Sequence, residues 1–187
     1  MNRQAAVPYE KLKPIRVMLL DVDGILTDGR IVLGCGPDGG AMEFKAFSAY
    51  DGQGLILAMQ AGIELGLVTS RESPLVARRA QELGIDHVFQ NAKVKWPVVE
   101  SFLRKRKYRA RELLYMGDDF PDLPVLKYAG FSATVPGAPL EIRSAVDYVT
   151  DQPGGEGAVR EVVEMMLKAK GQWAKIVAGY ANFRLKI

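Results

Sequence analysis

The 187-residue chain has an ordinary globular composition, with 48% hydrophobic and 25% charged residues, so it can bury a sizeable core. Its formal net charge of +3 is too small to predict a nucleic-acid partner. The single cysteine, Cys35, excludes an intramolecular disulfide, and the single histidine, His87, argues against a multi-histidine metal centre or a serine–histidine–aspartate triad. Without an apolar run of about 18 residues or a signal-peptide core, the sequence predicts a cytoplasmic protein with no membrane partner.

Apolar patterning predicts strands and helices that alternate along the chain. The strands are expected at 15–20, 31–34, 42–47, 63–68, 87–89, 113–116, 131–135 and 145–149. The helices are expected at 52–61, 73–83, 94–106, 122–128 and 157–170, with Asp51 as the N-cap of the first. The turn-rich loop between the second and third strands predicts a hairpin. This alternation is typical of an α/β protein whose parallel sheet is covered on both faces, and it shows no interdomain linker.

Polar side chains follow several of these strands at the point where each strand ends. Asp21 and Asp23 come directly after the first strand, Thr69 follows the strand at 63–68, and Asp118 follows the strand at 113–116. Lys95 opens the helix after the strand at 87–89. Because parallel strands end at one edge of a sheet, we expect these groups to lie together there. Taken alone, Asp21 and Asp23 are also compatible with an ordinary turn that closes a strand.

A set of carboxylates with one hydroxyl and one ammonium is suited to phosphoryl transfer. Carboxylates hold Mg²⁺, which offsets the repulsion between an anionic nucleophile and an anionic phosphate. A lysine and a hydroxyl bind phosphoryl oxygens, and an aspartate serves as nucleophile through an aspartyl-phosphate. A second carboxyl group can protonate the leaving oxygen and then activate water.

The segment Asp21-Val-Asp-Gly-Ile-Leu-Thr-Asp28 resembles the first motif of the haloacid dehalogenase (HAD) superfamily phosphatases, and three further motifs match in order and spacing. These are Thr69, Lys95 and the segment Gly117–Asp122. The resemblance implies a Mg²⁺-dependent phosphatase with a three-layer, Rossmann-like α/β fold.

The same resemblance implies a role for each matching residue. Asp21 is expected to be the nucleophile and Asp23 the general acid/base, while Thr69 and Lys95 bind the phosphoryl group. The implied Mg²⁺ ligands are Asp21, Asp118 and the backbone carbonyl of Asp23. Two further aspartates, Asp119 and Asp122, are expected to support the metal site.

Shorter phrases resemble the 3-deoxy-D-manno-octulosonate (KDO) 8-phosphate phosphatase family within that superfamily. They include Glu43-Phe-Lys-Ala-Phe47, Asp51-Gly-Gln-Gly54 and Asp147-Tyr-Val-Thr150. This resemblance implies a single domain over 1–187 with no large cap, a hairpin insertion at about 29–47 and a tail at about 171–187. It also implies a homotetramer in which hairpins pair and a neighbouring subunit covers the active site.

The family resemblance further implies that Asp51, Gly52, Arg71 and Arg79 bind a small anionic sugar phosphate. A surface helix charge is an equal alternative for Arg79. The chain departs from the family pattern at three places where the family carries arginine, and these are Tyr50, Ile56 and Glu156. Two other functions stay open: a phosphatase for a nine-carbon KDN or sialic acid 9-phosphate, and a non-catalytic HAD-like domain associated with a nucleotidyltransferase, although the intact Asp21 and Asp23 argue against the second.

Overall fold

A computed structural model describes residues 7–181, which form a parallel sheet with flanking helices and a separate hairpin. The strands are β1 (Val17–Leu20), β2 (Val32–Cys35), β3 (Ala41–Phe44), β4 (Glu64–Val68), β5 (His87–Phe89), β6 (Leu113–Met116), β7 (Phe131–Thr134) and β8 (Tyr148–Val149). The helices are α1 (Ala49–Gln60), α2 (Pro74–Leu83), α3 (Lys95–Arg106), α4 (Leu123–Tyr128), α5 (Leu140–Arg143), α6 (Ala158–Ala169) and α7 (Trp173–Ala181).

The six-stranded sheet has the order β5-β4-β1-β6-β7-β8, and every pair in it is parallel. All residues of β1, β6 and β7 are buried, as expected for strands that need cover on both faces. The helices fall into two groups, since α1 packs against α2 and α6 whereas α3 packs against α4. The predicted α/β fold with a central parallel sheet and a small hairpin is therefore confirmed.

The first long helix begins earlier than the sequence predicted. Ser48 is its N-cap, because the Ser48 hydroxyl accepts a hydrogen bond from the backbone N–H of Asp51 at 3.2 Å. The assignment of Asp51 as N-cap was wrong because a serine three residues upstream takes that role, and Asp51 lies inside the helix. Two short helices, α5 and α7, were not predicted, although α2 ends as expected at Gly84 in the left-handed conformation.

The hairpin of β2 and β3 pairs antiparallel and lies outside the main sheet. At the other end of the chain, α7 contacts α6, and residues 182–187 of the predicted tail lie outside the described residues. None of the helices within residues 7–181 combines the length and the apolar character needed to cross a bilayer.

Candidate active site

The register of the sheet brings the predicted motifs to one edge. Leu20 aligns with Leu67 of β4 and with Met116 of β6, so the residues that follow these strands leave the sheet at the same level. Asp21 and Thr69 are both nearly inaccessible, with 7% and 2% of their surface exposed. The Thr69 hydroxyl accepts a hydrogen bond from the backbone N–H of Arg71 at 3.2 Å, which fixes the hydroxyl at the start of the loop after β4.

Gly24 allows two of the strand ends to approach each other. It has a φ of +91°, and a Cβ atom placed on it would come within 2.1 Å of an Asp118 carboxylate oxygen. A larger residue would therefore both strain the backbone and displace Asp118. Gly24 in the first motif thus allows the turn and also leaves the space in which the Asp118 carboxylate lies.

Lys95 links two buried aspartates at the centre of the site. Its Nζ lies 2.9 Å from Asp21 Oδ1 and 2.7 Å from Asp122 Oδ1, and only 2% of its side chain is exposed. The hydroxyl of the fully buried Tyr115 also donates to Asp122 Oδ1, at 2.5 Å. Asp122 therefore supports the lysine, and a tyrosine from the core strand β6 supports Asp122.

The acidic groups outnumber the nearby cation. Burial, and then the charge of Asp122, raise the pKa of Asp21 to about 8, against the opposing effect of Lys95. Burial and the charge of Asp122 likewise raise the pKa of Asp118 to about 6. Burial lowers the pKa of Lys95, but the two carboxylates outweigh this effect and raise it, so the lysine stays charged. In the absence of a metal, protonation of one of these carboxyl groups thus reduces the excess negative charge of the cluster.

The same groups are suited to a divalent cation. Carboxylate oxygens of Asp21, Asp118 and Asp122 all lie within 4.8 Å of one another. Three carboxylates and one ammonium leave two net negative charges when ionised, which a dication balances. Asp118 Oδ1 is buried and has no hydrogen-bond partner among residues 7–181, so it is available as a ligand. A hard cation such as Mg²⁺ takes oxygen donors of this kind.

The side chain of Asp23 is held by cations rather than by the acidic cluster. Its Oδ1 is bonded to the ammonium of Lys45, a residue that follows β3 and whose side chain is 1% exposed, and its Oδ2 lies 3.7 Å from Arg71 Nε. Arg71 in turn binds Glu43 of the hairpin, with Nη2 2.8 Å from Oε1. The hairpin of this same chain therefore supplies two charged residues next to the predicted general acid/base.

The residues predicted to bind the sugar lie in different environments. Asp51 is 1% exposed, and its carboxylate accepts backbone N–H bonds from Gly157 at 3.1 Å and from Arg160 at 2.8 Å, at the start of α6. Burial raises the pKa of Asp51 in spite of these bonds. Gly52 lies against Arg79, since an added Cβ would come within 2.4 Å of Arg79 Nη2. Asp51 thus binds the backbone at the start of α6, while Gly52 leaves space for the Arg79 side chain.

The three positions that depart from the family pattern do not share one environment. Tyr50 is exposed, and the guanidinium of Arg160 lies 4.6 Å from the centroid of its ring. Glu156 is exposed in the loop before α6, whereas Ile56 is partly buried in α1. At the first of these positions, Tyr50 therefore makes a cation–π contact with Arg160.

Sequence reasoning did not assign roles to Glu43, Lys45 or Tyr115. Glu43 and Lys45 lie two residues apart in the strand predicted at 42–47, where such residues share one face, so their opposite charges were a usable signal. Tyr115 is a single hydroxyl within the apolar run Leu113–Met116, and a buried hydroxyl requires a partner.

No family model matches the chain, but individual relatives do. The KDO 8-phosphate phosphatase of Escherichia coli strain K12 is 40% identical over 163 residues, which is 87% of this chain and 84% of that protein. The Haemophilus influenzae enzyme of that name is 35% identical over 87% of this chain and 88% of its own length. A crystal structure of the Moraxella catarrhalis enzyme with magnesium, phosphate and KDO has a TM-score of 0.87 and 41% identity, and covers 92% of this chain and 97% of that one.

The parallel sheet and the acidic cluster at its carboxyl edge, together with these relatives, define a phosphatase of the HAD superfamily. The four sequence motifs indicate the same class. Within that class, the chain belongs to the 3-deoxy-D-manno-octulosonate 8-phosphate phosphatase family.

Proposed function

We propose that the chain is a Mg²⁺-dependent phosphomonoesterase that hydrolyses KDO 8-phosphate to KDO and phosphate. The observation that carries this proposal is the convergence of Asp21, Asp118 and Asp122 within 4.8 Å, with Lys95 bonded to two of them. The magnesium, phosphate and KDO in the Moraxella catarrhalis relative support the same reaction for this family member.

In the first step, an Asp21 carboxylate oxygen attacks the phosphorus atom and the bond from phosphorus to the sugar oxygen breaks. Asp23 gives its proton to the departing oxygen, which yields the free sugar and an aspartyl-phosphate on Asp21. Lys95 and the Thr69 hydroxyl bind the phosphoryl oxygens during this transfer. When bound at the aspartates, Mg²⁺ supplies positive charge that offsets the repulsion between carboxylate and phosphate.

In the second step, Asp23 takes a proton from water, and the resulting hydroxide attacks the phosphorus of the aspartyl-phosphate. The bond between phosphorus and the Asp21 oxygen breaks, which regenerates the carboxylate and releases phosphate. Asp23 is thereby protonated again for the next cycle. Contacts with Lys45 and Arg71 hold the Asp23 side chain apart from the carboxylates that take the metal.

We propose that Arg71 and Arg79 bind the carboxylate of the sugar, since a guanidinium matches a carboxylate with paired hydrogen bonds. Gly52 contributes by leaving room for Arg79, and Asp51 contributes by holding the backbone at the start of α6. A second candidate, a phosphatase for a nine-carbon KDN or sialic acid 9-phosphate, rests on the exposed Tyr50 and Glu156, which stand where the family carries arginine.

We also propose a homotetramer in which hairpins of neighbouring subunits pair and cover the active site. Apolar side chains of the hairpin and its approach are exposed, and an isolated two-stranded hairpin is marginally stable in water. The exposed residues are Ile31, Val32, Leu33, Met42 and Phe44. Each subunit would be one phosphatase domain over residues 1–187, and the cysteine content is compatible with the predicted cytoplasmic location.

The test is release of inorganic phosphate from purified protein with Mg²⁺, compared for KDO 8-phosphate, KDN 9-phosphate and sialic acid 9-phosphate. A higher kcat/KM for KDO 8-phosphate supports the main proposal, and a higher value for either nine-carbon substrate favours the second candidate. No release from any phosphomonoester would identify a non-catalytic domain instead. The matched control is the same assay with EDTA, which we expect to abolish turnover.

A further inference from the structure

A carboxylate of the hairpin, Glu43, joins β3 to the loop that precedes α2. Its Oε1 accepts a hydrogen bond from Arg71 Nη2 at 2.8 Å, and its Oε2 accepts one from the Ser73 hydroxyl at 2.7 Å. Both oxygens of one side chain are therefore used by the segment that follows Thr69. The contacts with Ser73 and Arg71, together with nearby Lys45, lower the pKa of Glu43, so it is anionic at neutral pH.

The orientation of Ser73 indicates that the contact with Glu43 is specific. Ser73 is the N-cap residue of α2 and is 1% exposed, yet its side chain makes no capping hydrogen bond. A serine at this position ordinarily accepts from a backbone N–H of the first turn. Here the hydroxyl donates to Glu43 instead, so the hairpin carboxylate is held by two donors from one loop.

Arg71 keeps donors for a further acceptor after Glu43 has bound it. A guanidinium has five N–H groups, and the contact with Glu43 uses one, at Nη2. Its Nε is buried and has no hydrogen-bond partner within residues 7–181, with Asp23 Oδ2 at 3.7 Å. The side chain as a whole is 39% exposed, so an incoming anion can reach it. Glu43 therefore holds Arg71 in place, and Arg71 still has N–H groups that can bind another acceptor.

We propose that Glu43 is a positioning residue for substrate selection: it holds Arg71 in the orientation that binds the carboxylate of an acidic sugar phosphate. This inference rests on the proposed function, in which Arg71 binds that carboxylate. Within residues 7–181, the side-chain hydrogen bonds and ion pairs of Glu43 go to Arg71, Ser73 and Lys45, and none goes to Asp21 or Lys95. Glu43 therefore governs recognition of the sugar, while Asp21 and Lys95 govern phosphoryl transfer.

The test compares an acidic sugar phosphate, KDO 8-phosphate, with p-nitrophenyl phosphate, which has no carboxylate. Replacing Glu43 by Gln keeps the shape and removes the charge, and loss of a charge-assisted contact predicts a rise of about tenfold in KM for the sugar phosphate. We expect kcat for the sugar phosphate, and both constants for p-nitrophenyl phosphate, to stay within about twofold. Glu43→Asp, which keeps the charge, should recover part of the loss, and Glu141→Gln on an exposed stretch of α5 is the matched control.

A double-mutant cycle with Arg71→Ala distinguishes an effect of Glu43 that acts through Arg71 from a general effect on the structure. We expect Glu43→Gln to add nothing in the Arg71→Ala background, because the residue that it positions is absent. Additive effects, or an equal loss with p-nitrophenyl phosphate, would overturn the inference. An unchanged KM for the sugar phosphate in Arg71→Ala would also overturn it, whereas wild-type protein that hydrolyses neither substrate would contradict the proposed function itself.

Discussion

Replacement of Lys95 by Met tests whether this lysine holds the acidic cluster together. Methionine keeps an unbranched apolar stem of similar length and removes the ammonium, which is bonded to both Asp21 and Asp122. The change leaves three carboxyl groups close together without their cation. We expect the metal-free protein to be destabilised and turnover to be lost, because Lys95 also binds the phosphoryl group in the proposed reaction.

The magnitude follows from burial and from the proton affinity of Asp21. Removing one partner of a buried ion pair costs about 3–5 kcal/mol. The pKa of Asp21 is already raised to about 8, so in the metal-free protein this group is largely protonated at pH 7 and is not left as an unpaired anion. The expected loss in the free energy of unfolding therefore lies at the low end, about 3 kcal/mol. For a chain of this size, that corresponds to a fall in Tm of about 6–12 °C.

Thermal unfolding in EDTA at pH 7 measures this loss. The control is Lys93→Met, which removes an exposed lysine two residues away and should change the free energy of unfolding by less than about 0.5 kcal/mol. A fall in Tm of less than about 2 °C for Lys95→Met would refute the reasoning, since the acidic cluster would then be stable without its cation.

Three further predictions concern the nucleophile, the metal and the hairpin. Asp21→Asn should lower kcat at least about a thousandfold with an unchanged circular dichroism spectrum, because the amide cannot attack phosphorus; near-normal turnover would rule out this nucleophile. Because the folded-state pKa values of Asp21 and Asp118 are raised, to about 8 and about 6, the fold binds more protons than the unfolded chain, and metal-free protein loses stability as pH rises from about 4 to about 8. Bound Mg²⁺ should oppose that loss, so its thermal shift should be larger at pH 8 than at pH 6, and an equal shift at both values would contradict this account. Leu33→Asp on the hairpin should convert a tetramer to smaller species in sedimentation, whereas Leu140→Asp, which is equally exposed on α5, should not; a tetramer in both variants would place the interface elsewhere.

The order of elements in the core could be predicted from sequence because local patterning determines it. The strands at 87–89 and 113–116 have the predicted bounds, since short apolar runs end at clear turn signals. The start of α1 was predicted less well, because Ser48 and Asp51 are both good N-cap residues and only the tertiary structure decides between them. Asp51 is drawn inward by backbone N–H groups at the start of α6, more than a hundred residues away along the chain.

For the site, local patterning indicates which groups are available, because each motif follows a strand and these strands end at one edge of the sheet. Asp21, Thr69, Lys95 and Asp118 could be named in this way without coordinates. The distribution of charge among them depends on how the chain folds. The pairing of Lys95 with two aspartates, and the reach of Glu43 and Lys45 from the hairpin, are contacts between distant segments, and no local pattern encodes such contacts.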